Sequence, residues 1–218
     1  MDRSLFRARV QEIEEYFQFL VAVDAGVIHA SDTSSSVDAG VIKTLKAVAF
    51  LLLYNLVEAA MRTSIESIFD DMKSEGTSFE EVTSQIRYIA LRNLFRRNAE
   101  TIERELSPLN TSILWLGFEP NELFGGNVDA RKIRDIAKQY GFSSRTNPSV
   151  TRGGHSLLKV KSKRNSLAHG NEAFHEVGRD YTVAELVQIK TEVVAYIDAI
   201  VANIRKFVND KEYMEVGP

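Results

Sequence analysis

Cysteine is absent from this 218-residue chain, and its absence excludes several kinds of site. There can be no disulfide scaffold, no thiol nucleophile and no zinc site built on sulfur ligands. A chain without disulfides suits a reducing compartment, and the segment Met1 to Leu5 shows no apolar leader with a small-residue cleavage site. We therefore expect a cytosolic protein.

Prolines and long apolar runs are also scarce. The chain has four prolines, all outside the periodic segments, and valine-rich alternating runs bounded by turn residues are missing, so strands are not predicted. The longest apolar run, Ala47 to Tyr54, is too short to span a bilayer and indicates a buried core helix. These absences predict an all-α fold, with residues 1–218 forming one helical domain and no association with a membrane.

Apolar residues recur at three- and four-residue steps along most of the chain, which predicts a set of amphipathic helices. The segment from Val41 to Met72 is apolar nearly all round between Ala47 and Val57, so we expect it to be the long central helix of a bundle. The other helices are predicted from Ser4 to Val23, from the capping sequence at Ser78, from Asn127 or Asp129 to Gly141, from His155 to Gly170, and from Thr182 to about Asn209.

Two segments lack this period. The stretch from Ala25 to Gly40 is rich in Gly, Ser and Asp and is predicted to be a loop. Residues 106–127 are interrupted by prolines yet carry large apolar side chains, which predicts an irregular insertion packed on the bundle.

In the last helix, apolar residues from Leu186 to Phe207 follow near-heptad spacing, which serves either core packing or a dimer contact.

Acidic residues are missing from Ile136 to Asn171, although the whole chain has a net charge of -3. Overall acidity argues against a protein that coats nucleic acid, but a local basic stretch can bind one phosphate backbone. The alternative is a solvated basic helix face. The cations of this stretch are Lys138, Arg145, Arg152, Lys159, Lys161, Lys163 and Arg164.

Common catalytic motifs are missing as well: there is no Walker loop, serine-hydrolase elbow, H-E-x-x-H pair or EF-hand loop. Gly125-Gly126 is predicted to form a turn rather than a phosphate cradle. No two histidines have metal-ligand spacing, so no metal site and no cofactor are predicted. His169 lies at the predicted end of a helix, where it either acts as a general acid or base or caps the terminal carbonyls.

The segment Arg164 to Gly170 reads RNSLAHG and resembles the R-x4-6-H motif of the HEPN superfamily, with four residues between Arg164 and His169. HEPN proteins favour a polar residue, commonly asparagine, directly after the arginine, and the whole string resembles the toxin-like, defence-associated branch. Three further strings are similar to small members of that branch: FLLLYNLVE from Phe50, GNVDARKIR from Gly126, and FHEVGR from Phe174. The resemblance implies a HEPN-like helical bundle with a long central helix and peripheral insertions.

This resemblance implies a metal-independent endoribonuclease. RNA would be cleaved by attack of the 2'-hydroxyl on the adjacent phosphate, leaving a 2',3'-cyclic phosphate and a 5'-hydroxyl. His169 would move a proton, and Arg164 would neutralise charge developing on the phosphate. The family also implies a homodimer that pairs its motifs across a two-fold axis, and a toxin or antiviral-defence role with an antitoxin or defence-system partner.

Helical geometry adds supporting residues. Positions five apart on a helix are offset by about 140°, whereas positions four apart share a face, so Asn165 is expected to orient His169. Glu58 lies in an apolar helix and needs a partner, either Arg62 four residues later or an active-site cation. Three lysines are expected to bind the RNA backbone: Lys159, Lys161 and Lys163.

An alternative interpretation is a non-catalytic HEPN module in which Arg164 and His169 are structural. Such a module would dimerise or dock a partner through the near-heptad face from Leu186 to Phe207. A third possibility, a nucleotide-binding helical domain, has no separate support in the sequence.

Overall fold

The computed structural model describes residues 4–27, 37–96, 114 and 124–215. Their regular structure is helical, apart from an isolated antiparallel bridge between Val82 and Met214, so the all-α prediction is confirmed. The helices are α1 (Ser4–Asp24), α2 (Ala39–Ser74), α3 (Ser84–Leu94), α4 (Ala130–Tyr140), α5 (Pro148–Thr151), α6 (His155–Ala168), α7 (Phe174–Arg179) and α8 (Val183–Asn209), with a 3-10 turn at Arg152–Gly154 before α6.

Helix α2 is the central element of the bundle, as the sequence predicts. It is 36 residues long, and α1, α6, α7 and α8 all pack against it. Its buried side chains run from Ala47 to Met72. Among the described residues it is also the one helix long and apolar enough to cross a membrane, a property that core helices of globular bundles share.

The short helix α7 is fixed against the beginning of α2 by a close backbone contact. A Cβ atom at Gly178 would lie 1.8 Å from the carbonyl oxygen of Lys43, so only glycine permits this approach. Just after α7, the ammonium of Lys46 donates a hydrogen bond of 2.7 Å to the carbonyl of Tyr181. These contacts determine the path of the chain after α6 ends.

The near-heptad face of α8 lies inside the chain's own core. Leu186, Val193, Ile197, Ile200 and Ile204 have no exposed surface, and Phe207 is also buried. Helices α1 and α2 both pack against α8. The face therefore serves core packing, and the prediction that it docks a partner is wrong because its side chains are already covered.

The capping sequence at Ser78 does not begin a helix. Glu81 Oε2 accepts a hydrogen bond of 2.7 Å from the Ser78 N–H, but this contact closes a turn. The Thr83 N–H donates to the carbonyl of Tyr213, and the Glu215 N–H donates to the carbonyl of Glu81. Because these backbone groups bind the C-terminal segment, the predicted helix start is wrong, and α3 begins at Ser84.

The remaining capping predictions are confirmed. Asp129 accepts a hydrogen bond from the Lys132 N–H at the beginning of α4, and Gly141 ends that helix with a left-handed φ of 93°. Both hydrogen bonds of the box formed by Thr182 and Glu185 are present. Most of the two irregular segments lies outside the described residues, namely 28–36, 106–113 and 115–123. Of the predicted insertion, Leu114 and residues 124–127 are described, and Leu114 and Phe124 are buried.

Candidate active site

The end of helix α6 places His169 at the surface. The Gly170 N–H donates to the carbonyl of Leu167 at 3.2 Å, and the Asn171 N–H donates to the carbonyl of Ser166 at 2.9 Å. This pair of hydrogen bonds is a Schellman motif, which requires a left-handed residue, and Gly170 supplies it with a φ of 69°. The backbone around His169 is therefore fixed, while its side chain is exposed to solvent.

The guanidinium of Arg164, one turn earlier, is held on its face and at two of its nitrogens. Its Cζ atom lies 3.9 Å from the centre of the Tyr54 ring. Nη1 donates to the carbonyl of Gly126 at 3.2 Å and to Oδ1 of Asn165 at 2.8 Å, and Nη2 donates to Oε2 of Glu58 at 3.4 Å. Within the described residues, its Nε–H has no acceptor, so this arginine keeps donor capacity for a ligand.

Tyr54 brings helix α2 into the site. The side chain is fully buried, and its hydroxyl oxygen accepts a hydrogen bond of 3.1 Å from the Val128 N–H. Burial raises the pKa of Tyr54, and the charge of Glu58 acts in the same direction. The phenol is therefore protonated at neutral pH. Sequence reasoning missed this residue, although its four-residue spacing from Glu58 could have placed both on one face of α2.

Glu58 contacts both of the partners that the sequence proposed as alternatives. Its Oε2 atom meets Arg164, and its Oε1 atom lies 3.5 Å from Nη2 of Arg62. One carboxylate is thus shared by two guanidinium groups.

The glycine pair forms the predicted turn, and this turn belongs to the site. The Asn127 N–H donates to the carbonyl of Phe124 at 2.8 Å, and both glycines have positive φ values. A Cβ atom at Gly126 would lie only 3.1 Å from Nη1 of Arg164. A residue without a side chain thus lets the turn approach the guanidinium and present its carbonyl. The sequence offered no sign that this turn meets Arg164.

Asn165 serves Arg164 rather than His169. Its amide oxygen accepts from Arg164, and its amide nitrogen donates to Oδ1 of Asn127 at 3.3 Å. Among the hydrogen bonds of the described residues, Asn165 is joined to His169 through its backbone carbonyl, which accepts from the N–H of His169 at 3.0 Å. The prediction that its side chain orients His169 is wrong, because the neighbouring guanidinium is the stronger donor for the amide oxygen.

The three lysines of α6 do not form one cationic row, because residues two apart on a helix point to opposite sides. Lys161 pairs with Asp129, and Lys163 pairs with Glu172 at 2.7 Å. The hydrogen bond to Glu172 raises the pKa of Lys163. Lys159 is exposed at a cavity of about 190 Å³ beside α8. Binding of these lysines to RNA stays a prediction. It requires that the ammonium groups of Lys161 and Lys163 contact a phosphate in addition to, or in place of, their carboxylate partners.

The other histidines lie apart from this site where they are described. His155 begins α6 at its opposite end, and His175 is exposed on α7, whereas His29 falls outside the described residues. The described part of the chain contains no group of three or more side chains suited to hold a metal ion. The last turns of α6 carry an oriented guanidinium, which suits binding of an anion, and an exposed imidazole, which suits proton transfer.

Comparison with known proteins gives one match. A family model described as HEPN_MAE_28990-like HEPN matches residues 4–213, a range that contains every described helix and all residues of the site. No curated protein and no solved structure matches the chain.

Proposed function

Since the chain belongs to this HEPN family, we propose that it is an endoribonuclease that requires no metal ion. The 2'-oxygen of the RNA attacks the adjacent phosphorus, and the bond from phosphorus to the 5'-oxygen breaks. The products are a 2',3'-cyclic phosphate and a 5'-hydroxyl. Because the nucleophile is the 2'-hydroxyl, RNA is a substrate and DNA is not.

The observation that carries this proposal is the oriented guanidinium of Arg164 on the helix that ends at the exposed His169. His169 moves a proton as general base or general acid, and solvent supplies the other proton transfer. Arg164 uses its remaining N–H donors to bind the phosphate oxygens on which negative charge develops. Glu58, Asn165 and the carbonyl of Gly126 hold that guanidinium in place.

Assembly and biological role are part of the same proposal. Arg164 and His169 lie five positions apart and so do not share a face of α6, which favours a homodimer in which two motifs together bind one RNA. The likeness of RNSLAHG to the defence-associated branch favours a cytosolic toxin or antiviral effector that an antitoxin or defence-system partner controls. A non-catalytic docking module is less favoured, because the face assigned to docking is buried in the core.

The test is cleavage of a 5'-labelled RNA by the purified protein in EDTA. We expect wild type to cleave it and His169→Ala to be slower by about 10²–10⁴-fold, the usual contribution of a general acid or base. His155→Ala is the matched control, because His155 is also exposed, at the other end of the same helix. A 2'-deoxy nucleotide at the cleaved position should block the reaction, and mass spectrometry should find the cyclic phosphate. Intact RNA with wild type, or equal rates for both histidine variants, would overturn the proposal.

A further inference from the structure

We propose that Tyr54 is the positioning residue of this site, because one side chain holds the guanidinium of Arg164 from two directions. Its ring supports the face of the guanidinium, and its hydroxyl fixes the turn whose carbonyl binds Nη1. The catalytic consequence rests on the proposed function. The geometry of Arg164, in contrast, can be measured whether or not the protein cleaves RNA.

The ring contact joins two helices that are distant in sequence. Tyr54 belongs to α2 and Arg164 to α6, and the Tyr54 side chain has no exposed surface. A ring packed in the core cannot follow the motion of a surface side chain. The contact of 3.9 Å therefore ties the arginine to the rigid centre of the bundle, and the aromatic face attracts the cation.

The hydroxyl contact controls the second support. Val128 donates its N–H to Tyr54, and Gly126, two residues earlier, provides the carbonyl that accepts from Arg164. Val128 is itself buried, so loss of the hydroxyl leaves its N–H without an acceptor. The turn would then lose its attachment to α2, and the carbonyl of Gly126 would no longer have a fixed position.

The hydrogen-bond partners of Arg164 decide which of its donors remain for a ligand. Both Nη1 hydrogens are taken, by Gly126 and Asn165, and one Nη2 hydrogen is taken by Glu58. Among the contacts of the described residues, this leaves the Nε–H and the second Nη2 hydrogen. Two donors on one planar group suit two oxygens of a phosphate, provided that the plane does not rotate. Tyr54 prevents that rotation.

The test compares Tyr54→Leu, which removes the aromatic face, with Tyr54→Phe, which removes only the hydroxyl. Tyr196→Phe is the matched control, since Tyr196 is also buried and its hydroxyl also faces an arginine, Arg134. The first readout is the Nε–H signal of Arg164 in NMR spectra of arginine-labelled protein, assigned by its loss in Arg164→Lys. We expect a ring-current shift in wild type, in Tyr54→Phe and in Tyr196→Phe, and its loss in Tyr54→Leu.

The second readout is RNA cleavage. We expect kcat/KM to fall about tenfold in Tyr54→Leu and about threefold in Tyr54→Phe, so that the phenylalanine rescues most of the loss. Hydrogen exchange of the Val128 amide should be faster in Tyr54→Phe than in Tyr196→Phe, because only the former removes its acceptor.

The outcomes separate this inference from the proposed function. An unchanged Arg164 signal in Tyr54→Leu overturns the positioning role, whatever the cleavage result. A lost signal in a protein that cleaves no RNA supports the geometry and overturns the function instead. If Tyr54→Leu does not fold, the test rests on Tyr54→Phe. Unchanged hydrogen exchange of the Val128 amide together with an unchanged kcat/KM overturns the inference. Faster exchange together with a lower kcat/KM supports it.

Discussion

Both ends of helix α6 place an arginine against a glutamate, at nearly equal distances. Just before the helix, Nη1 of Arg152 lies 3.6 Å from Oε1 of Glu192 on α8. Near its end, Nη2 of Arg164 lies 3.4 Å from Oε2 of Glu58 on α2. The two ion pairs differ in how exposed the arginine is, 59% for Arg152 and 22% for Arg164, and this difference separates a structural contact from a candidate catalytic one.

At the first end the carboxylate is enclosed. Glu192 is 7% exposed and Arg152 is 59% exposed. Glu192 also accepts hydrogen bonds from Ser156 at 2.5 Å and from Gln188 at 2.9 Å. Ser156 lies in the first turn of α6, where the helix dipole favours a negative charge. The carboxylate thus binds the beginning of α6 to α8.

At the other end the arginine is the centre of the network, and it is about as exposed as its carboxylate partner Glu58, which is 20% exposed. Arg164 is 22% exposed and has an aromatic face, a backbone carbonyl, an amide and a carboxylate as partners. Ordering a long side chain reduces conformational entropy, so such a cage indicates that the position of the charge matters. An ion pair alone does not identify a site; an immobilised arginine that retains donors does.

The largest expected effect comes from replacing each arginine by lysine, which keeps the charge and removes the planar fork. We expect Arg164→Lys to lower kcat/KM for RNA by about 10²–10³-fold, because oriented donors to the reacting phosphate are lost.

Arg152→Lys is the control for this prediction. Its rate should stay within about twofold of wild type, since Arg152 is mostly solvated and exposed charges contribute little. Equal losses in the two variants would remove the distinction between the ends of α6.

The sequence predicts the helices well wherever the cause is local. Apolar periodicity locates α1, α2 and α8, and side-chain caps such as Asp129 bind backbone groups within three residues. The turn at Ser78 shows the limit of this reasoning. Its capping hydrogen bond forms as the sequence predicts, but Glu81 and Thr83 bind backbone groups of the C-terminal segment, more than a hundred residues away. A local sequence pattern cannot predict that the distant C-terminal segment binds these backbone groups in place of a helix.

The candidate site divides in the same way. The segment RNSLAHG is local, and it predicts an arginine and a histidine at the end of one helix, where the structure places them. Two of the contacts that orient Arg164 come from Tyr54 and Gly126, which lie on other elements and show no shared spacing with the motif. Glu58 was predicted because an unpaired carboxylate in an apolar helix is costly, a rule that does not depend on knowing the fold.

The second comparison concerns stability. Glu192→Gln preserves shape and an acceptor for Ser156 but loses the charge, so we expect a loss of about 1–3 kcal/mol in the free energy of unfolding. For a chain of this size, that loss corresponds to a melting temperature lower by about 2–10 °C.

Glu58→Gln should lower the melting temperature less, because Glu58 is more exposed. The cleavage rate per folded molecule should fall in Glu58→Gln, because Glu58 holds the guanidinium of Arg164, and should be unchanged in Glu192→Gln. Thermal unfolding followed by circular dichroism, together with the cleavage assay, checks both. A greater loss of melting temperature in Glu58→Gln than in Glu192→Gln would contradict the assignment of a structural role to the Glu192 end and a catalytic role to the Glu58 end.

The smallest expected effect is a pH dependence that belongs to the Glu192 end. Burial acts to raise the pKa of Glu192, but hydrogen bonds from Ser156 and Gln188 and the charge of Arg152 outweigh it, and the pKa is lower than the ordinary 4.5. The folded protein therefore prefers the carboxylate more strongly than the unfolded chain does. This stabilisation is fully present above pH 4.5 and is lost as the pH falls through the folded-state pKa.

The melting temperature of wild type should accordingly fall more steeply with acid below pH 4.5 than that of Glu192→Gln. Asp71 and Asp129 also have lowered pKa values, although burial acts to raise them, because Lys211 and Lys161 bind them. They contribute equally to both proteins, so the difference between the two curves isolates Glu192. The exposed Glu80→Gln serves as the control and should follow wild type. Parallel curves for wild type and Glu192→Gln would mean that the network around Ser156 does not stabilise the charge, and the first end of α6 would lose its structural role.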